Sequence, residues 1–260
     1  MSDSSGVSSR VEAGFLSFDS MSLLEASSAV RSLSNTDGFS YVVTPNIDHM
    51  ARLVEKNNSE LRAIYSNADL ILCDSRILQK IIKFARGADC QVVTGSDLTA
   101  HLFSRELNGN DSVMIIGGEE PLINDLRRLY PELQITHHNP SMGFIRKPQE
   151  VAELVSKIES VNPAFLFLAV GSPQQEVLSN ALKKAKLNGV GLCIGASILF
   201  LVGEERRAPE WMRSLSLEWL FRMSQDPKRL VKRYLNNFSS LYSIWKSVSS
   251  KNANLKNQSV

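Results

Sequence analysis

Charge of one sign is what this sequence most lacks. Its 29 Lys and Arg stand against 27 Asp and Glu, a formal net charge of +2. That is too little to coat a nucleic acid unless it is concentrated in one segment, so no nucleic-acid partner is expected. Cysteine is scarce as well. Cys73, Cys90 and Cys193 are scattered in apolar contexts, which excludes a disulfide framework and a cysteine-based zinc site and makes them small buried hydrophobes. No apolar run approaches the roughly 20 residues needed to cross a bilayer. The opening MSDSSGVSSR has no apolar signal segment, so a cytoplasmic location is expected. The dinucleotide fingerprint is missing too: Gly189, Gly191 and Gly195 are spaced G-x-G-x-x-x-G and enclose a strand instead of following one, which argues against a dehydrogenase. There is no Walker A lysine motif and no Asp-x-Asp pair to hold a divalent cation. A site without metal or cofactor is therefore expected.

What is present is a regular alternation, in a chain of 260 residues that is long enough to bury a substantial core. Strands are predicted at Gly14 to Phe18, Tyr41 to Thr44, Leu70 to Cys73, Val113 to Ile116, Gln134 to Thr136, Phe165 to Val170 and Val190 to Ile194. Amphipathic helices are predicted between them, at Leu23 to Leu33, Ile77 to Ala85, Leu122 to Tyr130, Val151 to Ile158 and Glu176 to Leu187. Such alternation predicts an α/β fold with a Rossmann-like, doubly wound, mainly parallel sheet. The polar ends, Met1 to Arg10 and Lys251 to Val260, are expected to fray. After Gly203 the pattern turns helical throughout and basic, through Arg206, Arg207, Arg213, Arg222, Lys228, Arg229, Lys232 and Arg233. We therefore expect a domain over 1–203 and a basic amphipathic helical appendage over 204–260.

Several predicted strands end in the same grammar: Thr44-Pro45-Asn46, Asp74-Ser75, Gly117-Gly118 and Gly171-Ser172-Pro173. Each alone is what a strand-to-helix turn requires. Together, in a parallel sheet, they would gather on one rim as a polar crevice lined with N–H donors. In LFLAVGSPQQE the sequence predicts Ser172 as N-cap, Pro173 at the first helical position and Gln175 as the reciprocal partner of a capping box. Asp74, one residue before the expected N-cap Ser75, is either a helper of that cap or a base for a bound hydroxyl. Asp48 and Asp97 are rival carboxylates, Asp97 in a first helical turn where an acid suits the helix dipole. His49, His101, His137 and His138 form no triad or metal pattern, and the last two are placed in a loop at the crevice edge. In the appendage, Asp226-Pro227 reads as a helix start followed at once by Lys228, Arg229, Lys232 and Arg233. Cations there oppose the dipole by a few tenths of a kcal/mol each. A bound anion, a diphosphate or an acidic membrane surface, would account for them.

Taken in order, TPNID (Thr44 to Asp48), ADLILCDS (Ala68 to Ser75), VTGSDL, the GSPQQE junction, RAPEWM, LEWLFRM and DPKRLVKRY resemble the WecG/TagA/CpsF family of bacterial glycosyltransferases. The resemblance runs from about Gly14 to Tyr234. It implies an inverting, metal-independent transfer from a UDP-sugar donor to a sugar carried on a polyprenyl diphosphate, at the cytoplasmic face of the membrane. It implies further that Asp74 is the catalytic base. Thr44, Asn46 and Gln175 would line the substrate crevice, and Arg222, Arg229 and the Lys232-Arg233 pair would close over the diphosphate; Asp97, Gly117, Gly118, Ser172 and Arg207 are further substrate-binding candidates.

Three positions depart from the family pattern. Ser75 follows the aspartate where Gly is usual, Val92 stands in place of the arginine of RVxGxD, and Leu199 occupies the acidic position of FDFxAG. These departures point to a changed sugar specificity, such as a plain hexose in exopolysaccharide assembly. The alternative is a lipid-surface scaffold that binds nucleotide sugar without turning it over. The donor and acceptor sugars, and whether the chain forms a homo-oligomer, are not written in these motifs.

Overall fold

The computed structural model describes residues 9–55, 57–205, 209, 212, 220–221 and 240–250. Two strands, β1 (Ser9–Ala13) and β2 (Leu16–Ser20), form an antiparallel hairpin. Six more, β3 (Phe39–Val43), β4 (Leu70–Ile71), β5 (Ser112–Ile116), β6 (Gln134–His138), β7 (Phe165–Leu168) and β8 (Gly189–Cys193), form a wholly parallel sheet in the order β4-β3-β8-β7-β5-β6. The expected doubly wound plan is thus present.

The reason lies in the strands' composition. SVMII, FLFL and GVGLC are buried almost throughout, as strands covered on both faces must be. Successive side chains divide between two cores. Tyr41, Met114, Ile116, Leu166 and Leu168 point to one face, while Val42, Val113, Ile115, Phe165 and Phe167 point to the other. The first face is covered by α2 (Ile47–Leu53), α3 (Ser59–Ser66), α4 (Arg76–Arg86), α7 (Pro148–Val161) and α8 (Gln174–Lys184), through Met50, Tyr65, Leu78, Leu154 and Leu178. The second is covered by α1 (Leu23–Ser34), α5 (Gly95–His101), α6 (Glu120–Leu129) and α9 (Ser197–Leu201), through Val30, Leu98, Leu126 and Ile198.

The hairpin is fastened to the edge of the large sheet by one buried acid. Asp19 is 3% exposed and accepts the Ile71 N–H of β4 at 2.9 Å and Arg10 Nε at 3.0 Å. Two expectations fail here. Gly14 belongs to no strand; with φ +74° it makes the hairpin turn, and the strand starts at Leu16. Ser9 and Arg10 are not frayed, because they pair with Ser20 and Asp19. At the other end, a helix over 240–249 sinks Ile244 and Val248 into the first core, and its Ser247 lies against the hairpin turn at Gly14.

Among the described residues no helix is long and apolar enough to cross a membrane. The chain leaving β5 turns outward to β6, whereas that leaving β7 turns back to β8. The connections therefore part between the paired strands β5 and β7, the position at which open α/β sheets leave a crevice beyond their carboxyl ends.

Candidate active site

Three neighbouring strand tips converge on Gly95. Thr44 follows β3, Asp74 follows β4 and Ser197 lies just past β8. A Cβ added to Gly95 would meet Thr44 Oγ1 at 2.9 Å, Ser197 Oγ at 3.6 Å and Asp74 Oδ2 at 3.8 Å. The Gly95 N–H donates to Asp74 Oδ2 at 3.4 Å. Asp74 is held in turn by its own N–H, which donates to the Pro45 carbonyl at 3.1 Å. Local chemistry sets this geometry: Ser75 caps α4 by accepting the Leu78 N–H at 3.2 Å, so the cap is filled by the serine and Asp74 points elsewhere. A carboxylate among two hydroxyls and a helix-terminal N–H is equipped to take a proton from an alcohol.

The other expected residues fall into distinct settings. Asn46 is the N-cap of α2, its Oδ1 taking the Asp48 N–H at 3.0 Å, while its own N–H donates to His49 Nδ1 at 3.1 Å. Its Nδ2 is the group it can offer a ligand. Asp97 sits in the first turn of α5, where Thr94 Oγ1 donates to its carboxylate at 2.8 Å and accepts its N–H at 3.0 Å. Gly117 and Gly118 turn beyond β5 with φ +94° and +85°. The Gly117 turn presses on the β7 tip so closely that a Cβ would lie 2.9 Å from the Ala169 carbonyl. His137 clamps this turn, bonding through Nε2 to both glycine carbonyls at 3.2 and 3.1 Å and through Nδ1 to Glu120 at 2.8 Å. His137 and His138 thus end strand β6 instead of lying in a loop. From Asp74 to Gly117 is four strand steps, roughly 19 Å at the usual spacing of about 4.8 Å.

The GSPQQE junction departs from its expected capping. Helix α8 begins at Gln174, Pro173 is its N-cap, and no side chain caps it. The Ser172 hydroxyl is drawn away by tertiary partners: it accepts from Arg52 Nη1 at 2.9 Å and lies 3.3 Å from the Tyr65 hydroxyl. Gln175 makes no capping-box bond either. It is 3% exposed, and its Oε1 accepts the Gly195 N–H at 3.0 Å while Nε2 donates to Glu176 Oε1 at 3.0 Å. It therefore ties the β7 tip to the β8 tip. Burial, then the nearby Glu176 charge, push the Tyr65 phenol well above its ordinary range. Burial also pushes the His49 imidazole down, Glu176 pulling against this and Arg52 adding to it.

Arg52, Tyr65, Glu176 and Ser197 were not singled out from the sequence. No local spacing marks them, because Arg52 and Tyr65 reach Ser172 across 120 and 107 residues of chain. Arg207, Arg222, Arg229 and Arg233, with the Asp226-Pro227 start, lie outside the described residues.

A separate cleft of about 650 Å³ opens past β6, one strand further from Asp74, lined by His138, Ser141, Lys147, Glu150 and Lys157 among others. Within it Lys147 pairs with Glu150 at 3.2 Å, and Lys157 Nζ donates to His138 Nδ1 at 3.0 Å. Among the described residues no three His, Cys, Asp or Glu side chains are grouped as metal ligands.

Compared with protein-family models, residues 12–254 match the model described as the glycosyl transferase WecG/TagA/CpsF family.

Proposed function

Because this chain belongs to the WecG/TagA/CpsF family of glycosyl transferases, we propose that it moves a hexosyl group from a UDP-sugar onto a sugar carried on a polyprenyl diphosphate, with inversion and without a metal, for a bacterial exopolysaccharide or envelope polysaccharide. Asp74 is the base. The observation that carries this reading is the meeting of Asp74, Thr44 and Ser197 around Gly95 at the carboxyl rim of the sheet.

The acceptor hydroxyl gives its proton to Asp74 as its oxygen bonds to the anomeric carbon and the bond from that carbon to the diphosphate oxygen breaks. The electron pair leaves with UDP. A departing diphosphate needs positive charge and N–H donors where its charge grows. In this reading Arg207, Arg222, Arg229 and Arg233 supply the cations at the diphosphate, the half-buried turn at Ser172 allows close backbone approach, and the Gly117-Gly118 turn, four strand steps away, lies at the far end of the crevice from Asp74. Thr44, Asn46 and Asp97 orient the sugars at the Asp74 end. Gln175 acts from behind, by holding the β8 tip. The 204–260 appendage brings the chain to the inner face of the cytoplasmic membrane, where a lipid-borne acceptor is found.

The test is a panel of UDP-sugars against glucosyl- and N-acetylglucosaminyl-diphospho-lipid acceptors, following UDP release. One pair should turn over, and Asp74→Asn should lower that rate by about 10²–10⁴-fold, the range for loss of a positioned base. Turnover that survives the substitution removes Asp74 from the chemistry.

A further inference from the structure

Glu176 is the most buried acid among the described residues, 1% exposed in the first turn of α8. One carboxylate oxygen accepts from Gln175 Nε2; the other, Oε2, is enclosed and makes no well-formed hydrogen bond among the described residues, although the acid interacts with the Tyr65 hydroxyl. An enclosed carboxylate oxygen without a donor costs stability.

The bonds leading away from it run to the site. With the Gln175 amide nitrogen engaged by Glu176, the amide oxygen is turned to the Gly195 N–H. Gly195, at φ +53°, opens the turn in which Ser197 binds the Ile194 carbonyl through its N–H at 3.1 Å and its hydroxyl at 2.6 Å. Ser197 Oγ is then one of the three oxygens packed around Gly95 beside Asp74. An amide that lost the acid could rotate and present its NH2 to the Gly195 N–H, donor against donor. The turn would then lose its anchor.

We propose that Glu176 is a positioning residue for sugar transfer: by fixing the orientation of the Gln175 amide it holds the Gly195–Ser197 turn, and so sets the wall of the pocket in which Asp74 works. This rests on the reading of Asp74 as the base. The experiment compares Glu176→Leu, which removes the acceptor oxygen, with Glu176→Gln, which keeps one, in the full chain. Three measurements are made: steady-state transfer, melting, and amide hydrogen exchange over 194–198.

In Glu176→Leu we expect kcat to fall on the order of 10- to 100-fold, the scale of an ångström-level misplacement. The donor KM should stay within about twofold, and the variant should remain folded at the assay temperature despite the cost of stranding the Gln175 N–H. Exchange at Gly195 should quicken, and Glu176→Gln should recover most of kcat. Wild-type kcat in Glu176→Leu, a loss explained by melting, or unchanged Gly195 protection would each overturn the proposal. Asp74→Asn, assayed in parallel, reports on the base reading by itself. If that reading fails, exchange at Gly195 still decides whether Glu176 holds the turn.

Discussion

Gly95 and Thr44 are so close that a Cβ on the glycine would stand 2.9 Å from Thr44 Oγ1. Real side chains essentially never come so near, so Gly95→Ala must move the Thr44 hydroxyl. The stability terms offset in part: overpacking costs about 1–3 kcal/mol, while alanine in place of glycine returns at most about 1 kcal/mol at the first position of α5. We expect a melting temperature within a few degrees of wild type and a transfer rate reduced at least about 10-fold, with the displaced hydroxyl as the cause. Equal rates in the two proteins would separate Thr44 from the reacting groups.

The tie between Asp19 and Ile71 carries the hairpin and, through β4, the approach to Asp74. Asp19→Ala strands a buried N–H that donated to a charged acceptor, and we expect a loss of about 1.5–3 kcal/mol in denaturant unfolding. Arg10 is 61% exposed, so Arg10→Ala removes only a screened partner and should cost no more than about 1 kcal/mol. The reverse ranking would mean that the hairpin is held by its surface charge.

How much of this was legible in the sequence follows from the range of the forces involved. The strands of the large sheet declared themselves because burial on both faces leaves little but apolar residues, as in FLFL and SVMII. The Ser75 cap and the first-turn place of Asp97 were legible because both are contacts within three residues. Strand β1 was not: in SRVEA only Val11 and Ala13 are buried, too short an alternation to stand out from a polar end. Ser172 failed for the opposite reason, since its local signal for a cap was sound. The Arg52 guanidinium and the Tyr65 hydroxyl, brought over the rim by α2 and α3, claim its oxygen instead. Gln175 likewise read as half of a local pair, yet its partner is Gly195 on the neighbouring strand tip. Ser197 could not be found at all without knowing that β8 lies beside β3.

His49 predicts a pH dependence. Its imidazole is pushed down in the folded chain, chiefly by burial, and its Nδ1 accepts the Asn46 N–H. The unfolded chain has an ordinary histidine of pKa about 6.5. Below that value the unfolded state binds a proton that the native state refuses. Stability is therefore full above about pH 6.5 and drains away as the pH falls toward the depressed folded value. His138, lowered by partial burial and then by Lys157, acts in the same direction. Melting curves from pH 8 to pH 5 should fall less steeply for His49→Asn, which keeps an oxygen for the Asn46 N–H but cannot titrate. Parallel curves would assign the acid sensitivity elsewhere.

The helix over 240–249 has a buried side and an exposed side whose roles can be tested apart. Its inner side, Ile244 and Val248, is fully buried, whereas Tyr242 and Trp245 are 68% and 40% exposed with their rings 6.1 Å apart. Ile244→Ala should cost about 2–5 kcal/mol, as core truncations do. The outer aromatics support no packing of that kind, yet amphipathic rings beside Lys246 are the groups that settle at a lipid headgroup layer. If the appendage carries the chain to the membrane, the Tyr242→Ser, Trp245→Ser double variant should melt as wild type does. It should also bind anionic vesicles several-fold less in co-sedimentation, with the binding that remains falling as salt rises. Undiminished binding in the double variant would take this face out of the membrane contact and leave the cations beyond Glu205 to make it.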